Sequence, residues 1–413
     1  MNKKKIINDP VYGFITIRSE LIFDIIAHPY FQRLRHIKQL GLTHLVYPGA
    51  LHTRFQHALG AMQLMGRVLD NLRNKNVAIS DEEYEASQLA ILLHDIGHGP
   101  FSHTLESTLL MGINHESLSY RFMTELNREF NGALDLCLRI FRNSYHKKFF
   151  HQLVSSQLDI DRLDYLKRDS FFTGVLEGTI GVDRIISMLD VHEGELVVEE
   201  KGIYSIENFL NARRLMYWQV YLHKTSVGAE RILVNLIRRA QALVMAGETL
   251  TASDALMPFL KNQFTLQSFA EDPQAIEAFG QLDDHDIWGA IKFWRKNPDR
   301  ILSMLSAMLL ERRLFKTVLS NAPIHKSTID EIRTAVSKHY GTLMAETPYL
   351  FSYGSVSNET YAEGQQINIL TKSGELLDFT QASDLPNIRA ISKIVKKNYL
   401  CWPKDVSLGE VKS

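Results

Sequence analysis

A run of apolar residues, Leu89-Ala-Ile-Leu-Leu93, ends directly on His94-Asp95, and that junction limits what the rest of the chain can be. The run follows Ser80-Asp-Glu-Glu83, a helix start with Ser80 as N-cap and Glu83 three residues on. The spacing predicts a buried helix that reaches Ile96-Gly97. A buried imidazole and carboxylate side by side need partners, because an unpaired polar group away from water is costly. Of 16 histidines, nine (28, 36, 44, 52, 57, 94, 98, 103 and 115) fall between His28 and His115. Such crowding beside acidic residues points to metal or proton-transfer chemistry.

Around this helix the pattern is mostly helical. Residues 11–17 read as a short strand. From Ser19 to Leu40 apolar residues recur at helical spacing, Pro29 splits the stretch into two short helices and Gly41 closes the second. Further helices are predicted over 53–75, 115–127, 132–142, 149–157, 159–171 and 207–246. A hairpin over 195–206 is expected to turn on Lys201-Gly202. The segment 251–340 reads as short helices. From about 346 the alternating stretches YLFSYG, QQINILT, GELLDFT and NYLCWP mark a small mixed lobe with strands.

The 413 residues, 45% apolar and 23% charged, supply an ample core and exclude a disordered, collagenous or coiled-coil chain. Lys and Arg total 46 against 47 Asp and Glu, so the basic excess of a dedicated duplex-DNA binder is missing. Cys137 and Cys401, with no C-x-x-C, exclude a disulfide framework. No apolar segment follows the charged start, and no stretch nears the ~18 apolar residues of a membrane helix. A cytoplasmic protein is expected.

Four places carry acids and histidines that could converge: Arg54-Phe-Gln-His57, His94-Asp95, the pair His98 and His103, and the stretch Asp159 to Asp169. Adjacent helix residues point about 100° apart, so His94 and Asp95 share an ion only in the groove between their faces. Helices at 57 and 161 would supply the remaining ligands. Two imidazoles and two carboxylates suit Mn²⁺, Fe²⁺, Zn²⁺ or Mg²⁺. Such an ion polarises a phosphoryl oxygen and lowers the pKa of bound water. Asp161, Tyr165 and Asp169 fall on one helical stripe, whereas Asp164 and Arg168 are expected to be a solvated i, i+4 pair.

The ordered set His57, His94-Asp95 and Asp161 resembles the HD-domain metal-dependent phosphohydrolases. INDPVYG at 7–13, PYFQRLRHIKQLG at 29–41, YPGALHTRFQHALG at 47–60, LLHDIGHGPFSHTLE at 92–106 and DIDRLDYLKRDSFFTG at 159–174 look like the deoxynucleoside triphosphate triphosphohydrolases. That family includes the vertebrate sterile-alpha-motif/HD restriction enzyme and its bacterial relatives. The resemblance is dense over 5–225 and thins beyond. It implies a mainly α HD fold; together with the pattern of the remaining chain, a catalytic core over 1–245, a helical extension over 246–345 and a small α/β lobe over 346–413 are expected.

Carried onto this chain, the resemblance implies His57, His94, Asp95 and Asp161 as metal ligands. His98, His103 and His115 would line the phosphate site, with His103 the general acid. Glu106, three residues on, could hold that imidazole oriented and charged. Arg54, Arg162 and Arg213 would contact phosphates. Gln39, Leu40, Tyr165 and Asp169 would form the sugar pocket, and Tyr221 would stack by the base. The implied reaction is attack of metal-activated water on the α-phosphorus, releasing deoxynucleoside and intact triphosphate.

Lys5, Asn8, Gln32, Arg35, Arg184 and Lys224 match positions at which some relatives bind activating nucleotides between subunits, so a nucleotide activator and a homo-oligomer, dimer or tetramer, are implied. The match breaks at Ala27, where the guanine-reading carboxylate is expected, and at Tyr12 and Phe14, which replace histidines. Either another nucleotide is read there or activation is absent. Two rival functions remain. One is an HD phosphohydrolase for a nucleoside monophosphate, an alarmone or a cyclic dinucleotide. The other is a nucleotide sensor or single-strand binder, which the complete ligand set and the neutral charge disfavour.

Overall fold

The computed structural model describes residues 5–110, 112–343, 345–358, 366–385 and 395–407. The charged start at 1–4 and the first residue of QQINILT lie outside them. The predicted N-terminal strand is half of a hairpin, β1 (Lys5–Asp9) against β2 (Gly13–Ile17). Ser19 caps α1 (Glu20–Ala27), and Pro29 opens α2 (Pro29–Gln32), where its missing N–H costs nothing. A 3₁₀ turn over Arg33–His36 follows. Gly41 does not close this segment. It opens a second 3₁₀ turn, Gly41–Leu45, with φ of +49°, a left-handed conformation that favours glycine.

Three helices carry or lead into the candidate-site motifs. These are α3 (Arg54–Asn74), α4 (Asp81–Leu93) and, after α5 (Ser102–Leu109), α6 (His115–Glu129), α7 (Asp135–Phe141) and α8 (Phe149–Val154), the helix α9 (Ile160–Thr173). The capping box at Ser80 and Glu83 forms as expected. The helix ends at Leu93 rather than Ile96-Gly97, so His94 and Asp95 sit in the turn that leaves it. Helix α3 packs on both α4 and α9. This brings residues 57, 94–95 and 161 together.

Next come α10 (Val182–Met188), β3 (Leu189–His192), β4 (Glu195–Glu199), α11 (Ile203–Met216) and α12 (Lys224–Met245), the last two joined through a π turn at Tyr217–Tyr221. The expected hairpin exists one turn earlier than Lys201-Gly202. Glu193 and Gly194 both have positive φ, +51° and +83°, and join β3 to β4. Two consecutive left-handed residues match the twist of the flanking strands. Lys201-Gly202 instead leads into α11.

The extension contains α13 (Met257–Lys261), α14 (Leu266–Glu271), α15 (Pro273–Gln281), α16 (Asp284–Trp294), α17 (Arg300–Leu310), a strand absent from the prediction, β5 (Lys316–Ser320), and α18 (Lys326–Tyr340). The tail supplies β6 (Ser352–Asn358), β7 (Asn368–Leu370), β8 (Leu376–Asp378), α19 (Phe379–Ala382) and β9 (Val395–Trp402). Its strands do not form a sheet of their own. β9 lies between β5 and β6, while β7 pairs in parallel with β4 and extends a four-stranded sheet β3-β4-β7-β8. The fold is mainly α with small mixed sheets. No helix among the described residues is long and apolar enough to cross a membrane.

Candidate metal centre and cavity

His57 lies on α3, wholly buried, and its Nδ1 is 2.7 Å from Asp164 Oδ2 on α9. His94 Nδ1 is 2.6 Å from the carbonyl of Ile91 one turn back. Each contact fixes an Nδ1–H and leaves Nε2 as the outward-facing lone pair. Both Nε2 atoms are buried with no hydrogen-bond partner. Both face Asp161 Oδ1, at 3.1 Å from His57 and 3.4 Å from His94. Asp95 Oδ1 stands 3.2 Å from His94 Nε2. Two orphaned imidazole nitrogens aimed at two carboxylates are a donor set that fits a divalent cation: His57, His94 and Asp161 bring ligand atoms within 4.8 Å of one another, Asp95 flanks them through His94, and these four would hold the ion.

The electrostatics agree. Burial works to raise the carboxyl of Asp161, but His57 and His94 outweigh it and hold it well below the usual range. Asp95 is likewise held low by His94, His98 and Arg54 against its burial. Burial lowers His57, yet contacts with Asp161 and Asp164 raise it to about 10. The pocket therefore favours positive charge at its centre.

The pair Asp164–Arg168 is not solvated. Both residues are fully buried, and Arg168 bridges Asp164 and Asp9, with Nη1 2.8 Å from Asp9 Oδ2 and Nε 2.9 Å from Asp164 Oδ2. Gly60 on α3 makes the space: a Cβ there would sit 2.0 Å from Arg168 Nη2 and 2.2 Å from Asp164 Oδ1. A buried charge requires a counter-charge, and Asp9 arrives from a strand far off in sequence. Asp9 and Asp164 lie in the stretches INDPVYG and DIDRLDYLKRDSFFTG, but neither stretch by itself points to the Arg168 that they share.

The centre lies at the wall of a cavity of about 950 Å³, the size of a small-molecule site. Gln39, Leu40, Arg54, His94, Asp95, His98, His103, His115, Asp161, Arg162, Tyr165, Asp169 and Tyr221 line it. His57 lies behind this wall, and Glu106 reaches the cavity only through its neighbours. Arg213 is not on the wall either; it is buried and donates to Gln157 Oε1 at 2.9 Å. Arg54 Nη1 is 2.5 Å from Asp95 Oδ2, so its charge is already paired with that carboxylate. Arg162 pairs with Asp159.

The three histidines beyond the centre form a stack. His98 and His115 lie face to face at 3.8 Å between centroids, and His103 meets His98 edge-on at 5.2 Å. Burial and the Arg54 charge keep His98 well below its ordinary pKa, hence neutral. Glu106 accepts the backbone N–H of His115 at 2.6 Å and lies 3.8 Å from His103 Nδ1. Burial opposes ionisation of Glu106, but His103 and His115 hold its carboxyl low. His103 itself is 74% exposed toward the cavity mouth.

About two turns along α9 from Asp161, both oxygens of Asp169 are engaged, by His52 Nε2 at 2.7 Å and the Tyr221 hydroxyl at 2.8 Å. His52, stacked on Phe172, is a positioning residue that the sequence motif YPGALHTRFQHALG contained but did not single out. The extension also supports the site. Asp284 on α16 accepts backbone N–H groups of Lys38 and Phe101, both at 3.0 Å, and so fixes the segments that carry Gln39 and His103.

Of the positions matched to an activator site, Gln32 and Arg35 bond each other at 2.7 Å and Arg35 stacks on Phe55. Lys5 lies over Phe23, Arg184 contacts the carbonyl of Lys201, Lys224 opens α12, and Asn8 sits opposite Phe14 in the hairpin.

Residues 54–169 match the model of the HD domain, and 180–259 match that of the HD associated region. A phosphohydrolase of Bacteroides thetaiotaomicron, known from its crystal structure, is 52% identical over 97% of this chain and all of that chain, with a TM-score of 0.94. The uncharacterized protein YwfO of Bacillus subtilis is 31% identical over 98% of this chain and 94% of that protein. The chain belongs to the HD-domain family of metal-dependent phosphohydrolases. Within it, the chain is similar to the deoxynucleoside triphosphate triphosphohydrolase SAMHD1 of Danio rerio, 28% identical over 76% of this chain and 55% of that protein. It spans about half the length of the relatives that carry this name.

Proposed function

We propose that the chain hydrolyses deoxynucleoside triphosphates to deoxynucleoside and inorganic triphosphate. The observation that carries the reading is that one cavity is lined both by the candidate centre and by a fixed carboxylate, Asp169, about two helical turns from Asp161 along α9. At one wall stands the two-imidazole, two-carboxylate centre. Beside it lie the neutral His98 and the Glu106-supported His103 and His115. About two turns along α9, Asp169 is locked by His52 and Tyr221, and Gln39, Leu40 and Tyr165 line the same cavity. A triphosphate placed along this axis puts its α-phosphorus by the centre and its sugar against the apolar wall of Leu40 and Tyr165.

In this reading His57, His94, Asp95 and Asp161 hold a divalent ion, which when bound activates water and polarises the phosphoryl oxygen. Arg162 and Arg54 offset charge that builds on the phosphates. His103, exposed in the cavity and oriented by Glu106, gives its proton to the leaving oxygen. Asp169 accepts a hydrogen bond from the 3′-hydroxyl, with Tyr221 turned toward the base. Lys5, Asn8, Gln32, Arg35, Arg184 and Lys224 are proposed as an activator site completed by a second subunit of a homo-oligomer, with Ala27 steering it away from guanine.

The test is product analysis by ion exchange. Purified protein is incubated with each dNTP, singly and in pairs, with Mn²⁺ or Mg²⁺. Triphosphate and deoxynucleoside as the products support the reading, and turnover only in pairs supports the activator site. Orthophosphate as the product, or no turnover with metal bound, overturns it in favour of another phosphate ester or a sensor. Full metal-dependent activity in His94→Ala/Asp95→Ala protein also overturns it.

A further inference from the structure

Outside the cavity, a second set of ligand atoms meets where the 3₁₀ turn Arg33–His36 abuts the start of α16. His36, Asp283 and His285 each bring one ligand atom within 4.8 Å of the others. The two imidazole rings meet edge to face at 5.2 Å between centroids, and His285 Nδ1 is 3.4 Å from Asp283 Oδ1.

The backbone under this cluster is pinned from both sides. Three residues before His36, the buried Arg33 donates to the carbonyl of Leu282 at 3.0 Å and to that of Ile96 at 2.7 Å. Two residues after His36, the N–H of Lys38 donates to Asp284 at 3.0 Å. His36 is therefore bracketed by contacts to residues 282 and 284, on either side of Asp283. Asp283 is fixed in turn as the N-cap of α16, its Oδ1 accepting the N–H of His285 at 2.7 Å. Both imidazoles stay exposed and can turn to a common point.

The charge also suits a cation. Asp283, Asp284 and Asp286 crowd the start of α16, and the nearby guanidinium of Arg33 is committed to two carbonyls. Two imidazoles with one carboxylate select a borderline transition metal over the hard, oxygen-seeking Mg²⁺.

We propose that His36, Asp283 and His285 bind a divalent transition-metal ion of the Zn²⁺ and Ni²⁺ class, which clamps the N-terminal turn to the helical extension. The clamp is structural. It ties α16 to the segment that supplies Gln39 and Leu40 three and four residues on, and through Arg33 to the carbonyl between Asp95 and Gly97. An ion that binds only the folded form stabilises it by mass action.

The test uses tag-free full-length protein dialysed to equilibrium against micromolar Zn²⁺ near neutral pH, with metal content measured for wild type and His36→Gln/His285→Gln. The core centre is intact in both proteins, so its occupancy cancels, and failure here is distinct from failure of the proposed activity. The expected result is a loss of one metal equivalent per chain in the double variant, with a Zn²⁺-induced rise in Tm smaller than in wild type. Dialysis against Mg²⁺ should show no difference between the two. Equal Zn²⁺ content in the two proteins, or an equal rise in Tm, overturns the proposal.

Discussion

Replacing Asp164 with Asn probes the charge network beneath the metal centre. The carboxylate is fully buried and lies 2.7 Å from His57 Nδ1, 2.9 Å from Arg168 Nε and 3.0 Å from Arg168 Nη2. The amide is nearly isosteric, but it exchanges one acceptor for a donor and removes the charge. Arg168, with no exposure, keeps only Asp9 as counter-charge. Breaking a buried pair in this way costs about 3–5 kcal/mol, a large part of the roughly 5–15 kcal/mol by which a native protein is stable. With the amide oxygen kept toward His57 and Arg168 Nε, the His57 Nδ1–H meets a neutral acceptor in place of the carboxylate that raises the basicity of the ring. Disturbing such a partner weakens metal binding about 10–100-fold, or about 1.4–2.8 kcal/mol. Urea unfolding reads the first effect and equilibrium dialysis of Mn²⁺ the second. Asp9→Asn is the companion variant. It removes the other partner of Arg168 and an acceptor for the N–H groups of Val11 and Tyr12, without touching His57. It should unfold early and bind Mn²⁺ as wild type does. Wild-type Mn²⁺ affinity in Asp164→Asn, or an equal loss in Asp9→Asn, would refute the reasoning.

Three further outcomes are expected. Burial pushes the carboxyl of Glu230, on the cavity wall, up to about 7 against the pull of Arg231. The native state then binds this proton more tightly than the unfolded chain, so the contribution is present at acid pH and is lost as pH rises through about 7. Glu230→Gln should flatten stability between about pH 5 and 8, by at most about 3 kcal/mol; an unchanged pH slope counts against this. A Cβ at Gly97 would sit 2.2 Å from Ser119 N and 2.3 Å from the His115 carbonyl, so Gly97→Ala should cost roughly 1–3 kcal/mol and reduce turnover by shifting His98. A wild-type Tm would contradict it. Ser80→Ala removes the capping box of α4 and should lower stability by about 1 kcal/mol, read in urea.

What could be read from the sequence follows the range of the interactions. The helix from Ser80 to Leu93 was legible because its cap and apolar run are local. His57, His94, Asp95 and Asp161 each sit in a long motif, and their side chains lie close to one another in the structure; that they hold an ion is the proposal made above. The Asp164–Arg168 pair was misread because an i, i+4 pair has the same sequence on a solvated face as in a core. Asp9, more than 150 residues away, decides between them. The hairpin was misplaced because Lys201-Gly202 and Glu193-Gly194 offer the same residue types, and only backbone φ tells them apart. His52, Asp284 and β5 act through partners distant in sequence and left no local mark.

The parallel pairing of β4 with β7 has a consequence during synthesis. Val198 on the core side aligns with Ile369 on the tail side, so the partner of this edge leaves the ribosome 171 residues later. At about 5–20 residues per second, β4 waits roughly 9–34 s with its outer row of N–H and C=O groups unpaired and Val197 and Val198 lacking part of their cover. An unpaired apolar strand edge is a template for any similar strand. The nascent chain thus carries an adhesive edge until the segment around Ile369 emerges, which makes that strand a late-arriving shield against self-association.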